Sequence, residues 1–86
     1  MQTDRYGYRL QIGAYSTNAR AAIAAKRAKE IVNLPFFIRY DGESDIYRVY
    51  SQLYEHKKRL KISCYIFRGM EFDDAFIRKI ESIKFL

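Results

Sequence analysis

The sequence predicts a single α+β domain made of two β-α-β units, because the chain is short, repeats itself and alternates strand-like with helix-like patterns. A shift of 39 residues aligns 8–39 with 47–78 without a gap, and 8 of the 32 aligned positions are identical. Ordinary composition gives about two such identities. Because the order of strand, helix and strand recurs at the same offset, we interpret the chain as a duplication.

The first unit reads strand, helix, strand. Alternating side chains predict strand one over 6–14. Helix one follows the good N-cap residues at 16–18 and continues to about Val32. Its apolar positions recur at helical spacing: Ala21, Ala24, Ala25, Ala28, Ile31 and Val32. Pro35 ends any helix and opens strand two over 36–40.

The second unit repeats this order. The turn 41–44 is short enough to make strands two and three an antiparallel hairpin. Strand three is predicted over 46–53, helix two over 54–68 and strand four over 75–79. The last six residues, 81–86, are expected to form a short helix or a loose end.

Two tandem β-α-β units predict the ferredoxin-like (RNP-like) architecture, a four-stranded antiparallel sheet with both helices on one face. Strands one and three are then central, and strands two and four are edges. The domain is expected over 6–80, with 1–5 as an N-terminal extension and 81–86 as a C-terminal tail. Alternation turns Ala14 to the same, core-facing side of strand one as Leu10 and Ile12. The residues expected to be buried are Leu10, Ile12, Ala21, Ala25, Ala28, Val49, Leu60, Cys64, Phe67 and Ile77.

The sheet face away from the helices is predicted to be open, and its composition is unusual for a solvated surface. Alternation along the four strands places these candidate ligand-binding residues on it: Arg9, Gln11, Gly13, Phe37, Arg39, Arg48, Tyr50, Phe76 and Arg78. Guanidinium groups bind carboxylates, phosphates or sugar hydroxyls, and aromatic rings stack on sugars or bases. We expect Gln11, Arg48 and Tyr50 to form the centre, with Tyr50 stacking on a ligand ring.

Charge and composition also favour a ligand-binding function. The net charge is +6, and the chain has 8 Tyr and 6 Phe, which favours an acidic polymer or surface as partner. The basic run 57–61 opens helix two, where cations oppose the helix dipole. No apolar run approaches the roughly 18 residues that a membrane-spanning helix needs.

The sequence has no pattern that predicts a catalytic or metal-binding site. The lone histidine, His56, lies eight residues from the lone cysteine, Cys64, a spacing that matches no zinc pattern. The acidic pairs Asp73-Asp74 and Glu43/Asp45 fall in predicted loops. The nucleotide-binding and nucleophile motifs that mark common enzymes are absent from the sequence. We therefore expect a binding module without a cofactor or metal.

Several segments match one known family. The octapeptide 8–15, Tyr-Arg-Leu-Gln-Ile-Gly-Ala-Tyr, resembles the opening of the SPOR domain (sporulation-related repeat). Asn18 and the alanine-rich stripe resemble its first helix, 47–49 resembles the Tyr-Arg-Val of its second repeat, and 74–77 resembles its closing strand. The resemblance spans about 6–80.

SPOR domains are bacterial modules that bind peptidoglycan and favour glycan strands stripped of their stem peptides, as found at division septa. The resemblance implies the same ligand, and a place in the cell envelope as part of a longer exported or membrane-anchored protein. The family binds on its open sheet face, which implies a role for Gln11 and, less directly, for Arg48. Stripped strands carry lactyl carboxylates, which suit arginine.

The second repeat departs from the family pattern. Gln52-Leu53 stands where the family has Gly-Pro after strand three, and Ser51 stands where an aliphatic core residue is expected. The family's glycine after helix two falls near Glu71, although Gly69 is close by. The sequence also leaves two alternatives open: an RRM-like domain for RNA or other single strands, and a protein-interaction domain that uses its edge strands.

Overall fold

The computed structural model describes the backbone of residues 2–85 and the side chains of residues 7–80. It contains four strands and two helices in the order β-α-β-β-α-β. Their bounds are β1 Gln2–Tyr15, α1 Asn18–Val32, β2 Phe36–Asp41, β3 Ile46–Ser51, α2 Lys58–Arg68 and β4 Phe76–Phe85.

The strands form one antiparallel sheet in the order β2-β3-β1-β4. This is the predicted ferredoxin-like topology, with strands one and three adjacent in the centre. Both helices pack on one face of the sheet and share a single core with it. The other face carries no helix and is open, as predicted.

The core is built around Phe67, which is fully buried and meets Phe36 and Phe72 edge-to-face at ring-centroid distances of 5.8 and 5.2 Å. Such pairs add stabilisation beyond the area they bury. Most of the predicted core residues are buried, while Ala25 and Ile77 are half-buried against the core. Phe72, which the sequence analysis did not select, is buried because the chain after α2 turns back beneath that helix.

A β-bulge in β1 changes the alternation that the sequence predicts. Gln11 pairs with Tyr50, but the next pair along the ladder is Gly13 with Val49, so Ile12 has no directly opposed partner. Directly opposed residues share a face, and Val49 is a core residue. Gly13 therefore lies on the helix side, and its predicted place on the open face is wrong.

The same bulge moves two neighbours. Ala14, predicted for the core, pairs with Arg48 and is exposed on the open face. Tyr15 pairs with Tyr47, and both pack against the core. A Cβ on Gly13 would lie 2.7 Å from the Tyr15 hydroxyl, so glycine makes room for that ring.

A second irregularity in the chain after β3 restores the register. Tyr8 and Tyr54 form a bridge with two backbone hydrogen bonds of 2.8 Å. Between this bridge and the Gln11–Tyr50 pair, β1 advances three residues and the opposing chain advances four. The buried Ser51 fills the gap, since its Oγ accepts from the Leu10 backbone N–H at 2.9 Å and donates to the Gln52 carbonyl.

The ends of the chain differ from the prediction. β1 begins at Gln2 and β4 continues to Phe85, and the two strands pair from Gln2–Phe85 to Gln11–Phe76. Residues 2–5 and 81–85, predicted as an extension and a tail, thus continue the sheet as a two-stranded arm. The outermost residues, 1 and 86, lie outside the described chain.

The first helix begins at its predicted N-cap signals, and the second begins later than predicted. Thr17 caps α1, its hydroxyl accepting from the Arg20 N–H at 3.2 Å, and Asn33 ends it in the left-handed conformation at φ 55°. The second helix starts at Lys58, four residues later than predicted, because Tyr54 is held in the bridge to Tyr8. No side chain caps its first turn, which carries cations instead.

Candidate ligand-binding face

A single row of side chains crosses the centre of the open face. The cross-strand pairs run Phe76–Gln11–Tyr50–Phe37, one residue from each strand. Gln11 and Tyr50 occupy equivalent positions in the two repeats, as do Phe37 and Phe76. The row is therefore pseudo-symmetric about the Gln11–Tyr50 pair.

Two arginine pairs lie on either side of this row. Arg9 is directly opposite Arg78, and Arg48 is directly opposite Arg39. Each pair is two residues along its central strand from the row, which separates the pairs by about 13 Å. Like charges placed directly opposite each other destabilise a sheet. This cost indicates a surface arranged for an anionic partner rather than for stability.

Tyr50 holds the first arginine pair in place. The Arg9 guanidinium lies over the Tyr50 ring at 3.8 Å from its centroid, and Arg78 Nη1 donates to the Tyr50 hydroxyl at 3.2 Å. The Tyr50 side chain is only 6% exposed. The expected stacking of this ring on a ligand is not supported, because the guanidinium covers it. Tyr50 instead supports the two cations.

Gln11 is nine-tenths buried beneath this cluster, and its Oε1 has no hydrogen-bond partner among the described residues. The Nε of Arg9 is also buried without a partner. A buried polar atom left unpaired costs on the order of 1–3 kcal/mol. Two such atoms at the centre of an open face offer an acceptor and a donor to a ligand.

The second arginine pair is partly neutralised. Arg48 Nη1 forms an ion pair with Asp41 Oδ2 at 2.7 Å. The Arg48 hydrogen bond, followed by that of Ser44, lowers the pKa of the Asp41 carboxyl below its ordinary value. Within residues 7–80, no carboxylate forms an ion pair with Arg9, Arg39 or Arg78. Three of the four arginines are therefore available to an anion.

A cavity of about 400 Å³ joins the two halves of the face. It is lined by Arg9, Arg39, Tyr40, Asp41, Gly42, Arg48 and Tyr50. The Tyr40 hydroxyl donates to Asp45, and this bond raises the pKa of the Tyr40 phenol. Donors from three arginines converge on this volume, so it suits a carboxylate or another oxyanion.

The two ends of the row, at the edges of the sheet, are exposed aromatic rings. Phe37 is 54% exposed and Phe76 is 39% exposed, and both lie on the open face. Rings with this exposure can pack on the apolar face of a sugar. The face thus has a polar, cationic centre between two apolar edges.

Elsewhere, the described residues offer little catalytic chemistry. Cys64 is buried, with its Sγ 3.3 Å from the Ala75 carbonyl oxygen, and His56 is exposed. In the part of the chain that the structure describes, no three His, Cys, Asp or Glu side chains gather as a metal site would require. None of the described helices is long and apolar enough to cross a membrane.

The structure brings together eight of the nine predicted site residues and excludes Gly13. The sequence analysis missed Asp41, which it assigned only to a turn. The duplication contains a signal for it: the position equivalent to Asp41 in the second repeat is Ile80, so the other arginine pair has no carboxylate at the equivalent position.

Comparisons with known proteins agree with this fold. The family model for the SPOR domain matches residues 4–78. The solution structure of the peptidoglycan binding domain of the B. subtilis cell wall lytic enzyme CwlC is similar, with a TM-score of 0.73. The match covers 87% of this chain and 90% of that chain at 20% sequence identity, a level that bears on the fold alone. The search of the curated proteins found no match.

Proposed function

Because the chain belongs to the SPOR domain family, we propose that it is a non-catalytic module of the bacterial cell envelope that binds peptidoglycan glycan strands. The binding surface is the open sheet face, centred on Gln11 and Tyr50. The domain of CwlC, which shares the fold, is itself described as peptidoglycan binding. We expect the module to reach the wall as part of a longer exported or membrane-anchored protein.

The observation that carries this proposal is the unpaired Oε1 of Gln11. Folding leaves this acceptor buried at the centre of an exposed face, where a sugar hydroxyl or an acetamido N–H can donate to it. A face made only for solubility would have exposed, hydrated polar groups there. The cost of burying the amide is offset when a ligand pairs with it.

The unpaired arginines favour strands without stem peptides. A stem peptide is joined through the lactyl group of muramic acid, which turns that carboxylate into a neutral amide. Removing the peptide restores one negative charge at each muramic acid. Arg9, Arg39 and Arg78 can pair with such carboxylates, and charge-assisted hydrogen bonds contribute about 1.5–3 kcal/mol.

RNA is the less favoured ligand. RRM domains stack bases on aromatic rings of the two central strands. Here the open-face aromatic of the central strands, Tyr50, is covered by Arg9, and the exposed rings, Phe37 and Phe76, lie on the edge strands. This arrangement places apolar contacts at the borders of the face and hydrogen-bonding groups at its centre.

A sedimentation assay with purified sacculi tests the proposal. The bound fraction of the domain should be higher on sacculi pretreated with an amidase, which removes stem peptides, than on untreated sacculi. The double variant Arg9→Gln/Arg39→Gln should lose about tenfold or more in affinity for treated sacculi. The wild-type domain should release no soluble fragments from either preparation.

The matched control is Lys26→Gln/Lys29→Gln, which removes the same two charges from the exposed surface of α1. This variant should bind within about twofold of wild type, the scale of a remote surface charge. If this control loses as much affinity for treated sacculi as the arginine variant, binding depends on net charge alone and the open face is not the site. Equal retention on treated and untreated sacculi would contradict the preference for stripped strands.

A further inference from the structure

The outer face of α2 has a composition that glycan binding does not explain. Residues 58–68 contain four basic residues and no acidic one. Leu60, Ser63, Cys64 and Phe67 form the buried side of the helix. Three large apolar residues lie on the solvent side: Ile62, Tyr65 and Ile66.

These side chains stand out from the surface. Tyr65 is 81% exposed, Ile62 is 63% exposed and Ile66 is 39% exposed. On a helix of 3.6 residues per turn, positions 62, 65 and 66 are neighbours, so they form one stripe rather than scattered contacts. Met70, just beyond the helix, extends the stripe with a 57% exposed side chain.

Cations border the stripe, and one of them, Arg68, donates from Nε to the Ala75 carbonyl at 2.9 Å. Within residues 7–80, no carboxylate forms an ion pair with Lys58, Lys61 or Arg68. Lys61, Arg68 and Tyr65 also border a cavity of about 580 Å³ between α2 and β4, which leaves room for an anionic headgroup to reach both cations. We refer to Lys58, Lys61, Ile62, Tyr65, Ile66 and Arg68 as the α2 patch.

We propose that the α2 patch binds an anionic phospholipid surface. Apolar side chains on a convex helix can enter the headgroup boundary, while lysine and arginine keep their charges at the level of the phosphates. Each cation near such a surface contributes attraction. A protein partner fits less well, because lysine is depleted in protein interfaces and Lys58 lies in line with Ile62 and Tyr65, one and two turns before them.

The position of the α2 patch leaves the glycan face free. Both helices lie on one side of the sheet and the arginine pairs lie on the other. The sheet therefore lies between the two surfaces. Lipid binding at α2 therefore does not depend on the glycan proposal, and either can fail alone.

Vesicle sedimentation tests the lipid proposal. We expect the domain to sediment at low salt with phosphatidylcholine vesicles that contain phosphatidylglycerol, and not with pure phosphatidylcholine. Lys58→Glu/Lys61→Glu should reduce binding roughly tenfold or more. Ile62→Ser/Tyr65→Ser, which keeps every charge, should reduce it at least about fivefold. All four positions are exposed, so thermal unfolding should confirm that both variants fold.

Helix α1 supplies the matched controls. Lys26→Glu/Lys29→Glu makes the same charge change, and Ile23→Ser removes an isoleucine that is 63% exposed, like Ile62. Both controls should bind anionic vesicles within about twofold of wild type. Equal losses in patch and control variants would show a general charge effect and overturn the proposal. Failure of the folded wild-type domain to bind anionic vesicles would overturn it and favour a protein partner for α2.

Discussion

At the scale of the residue, the proposed role of Gln11 in binding implies a cost in stability. Its amide is nine-tenths buried, yet Oε1 has no partner in the described chain. Desolvating an acceptor without pairing it opposes folding, so a sequence selected only for stability would place an apolar side chain there. If the proposed function holds, a ligand donor that pairs with this acceptor offsets the cost on binding.

Gln11→Met separates the two effects. Methionine has a similar volume and removes the unpaired amide, so the melting temperature should stay the same or rise. Affinity for amidase-treated sacculi should fall by roughly 5- to 150-fold, corresponding to about 1–3 kcal/mol. Calorimetry and sacculus sedimentation measure the two quantities. A variant that binds as well as wild type would remove Gln11 from the site.

Asp41 is the residue that distinguishes the two halves of the binding face. Its carboxylate pairs with Arg48, whereas the equivalent arginine, Arg9, rests on a tyrosine ring. A ligand carboxylate that approaches Arg48 must compete with this internal partner. Because of this competition, we expect Arg48→Ala to weaken binding less than Arg9→Ala. That Arg48 belongs to the centre of the site stays a prediction.

Asp41→Asn tests this competition. The amide keeps an oxygen that can accept from the Glu43 N–H, but it no longer neutralises Arg48. We expect affinity for treated sacculi to rise about 1.5- to 5-fold, the range that corresponds to a surface ion pair. Because Arg48 lowers the pKa of the Asp41 carboxyl, the ion pair's stabilisation persists above the ordinary carboxyl pKa and is lost as pH falls through the lowered value. Unfolding of the variant should lack this acid-side loss.

At the scale of the element, periodicity predicted the strands but not their register. Leu10 and Val49 are buried as alternation predicts, and the repeat predicted that their strands are neighbours. The bulge at Ile12 was not predicted, because alternation assumes a regular ladder; in the structure Gly13 has no side chain and leaves room for the Tyr15 ring next to the bulge. The second irregularity depends on the bridge between Tyr8 and Tyr54, which are distant in sequence.

Ser51 is expected to stabilise this irregular ladder. Its Oγ accepts from the Leu10 N–H inside the core, and the side chain is only 3% exposed. Ser51→Ala leaves that donor unpaired, so the free energy of unfolding should fall by about 1–3 kcal/mol. Ser63→Ala is the control, because Ser63 is also buried but makes only a 3.5 Å bond to the carbonyl of its own helix. Urea unfolding of both variants gives the comparison, and equal losses would contradict the role of Ser51.

At the scale of the molecule, the duplication explains the architecture, while the distribution of charge is a property of the folded chain. The net charge of +6 could be counted from the sequence. In the folded chain this charge is divided between the arginines of the sheet face and the lysines and arginines of α2. That division could be predicted only in part, because the start of α2 depends on the bridge between Tyr8 and Tyr54. The two-stranded arm of β1 and β4 was also missed, because both segments lie beyond the repeat.

The separation of the two charged surfaces leads to a prediction for the whole domain. If the sheet binds glycan and the α2 patch binds lipid, one molecule can hold both at once, since the surfaces lie on opposite sides of the sheet. Fluorescent anionic vesicles should sediment with amidase-treated sacculi only when the domain is added.

A variant that weakens either one of the two surfaces should abolish this bridging. Gln11→Met should still bind vesicles but bind sacculi weakly. Lys58→Glu/Lys61→Glu should still bind sacculi but bind vesicles weakly. An equimolar mixture of the two variants should not restore bridging, because a monomer that lacks one face cannot link the two surfaces. If the wild-type domain binds sacculi and vesicles separately but never together, the two ligands compete for one basic surface, and the assignment of lipid to α2 is wrong.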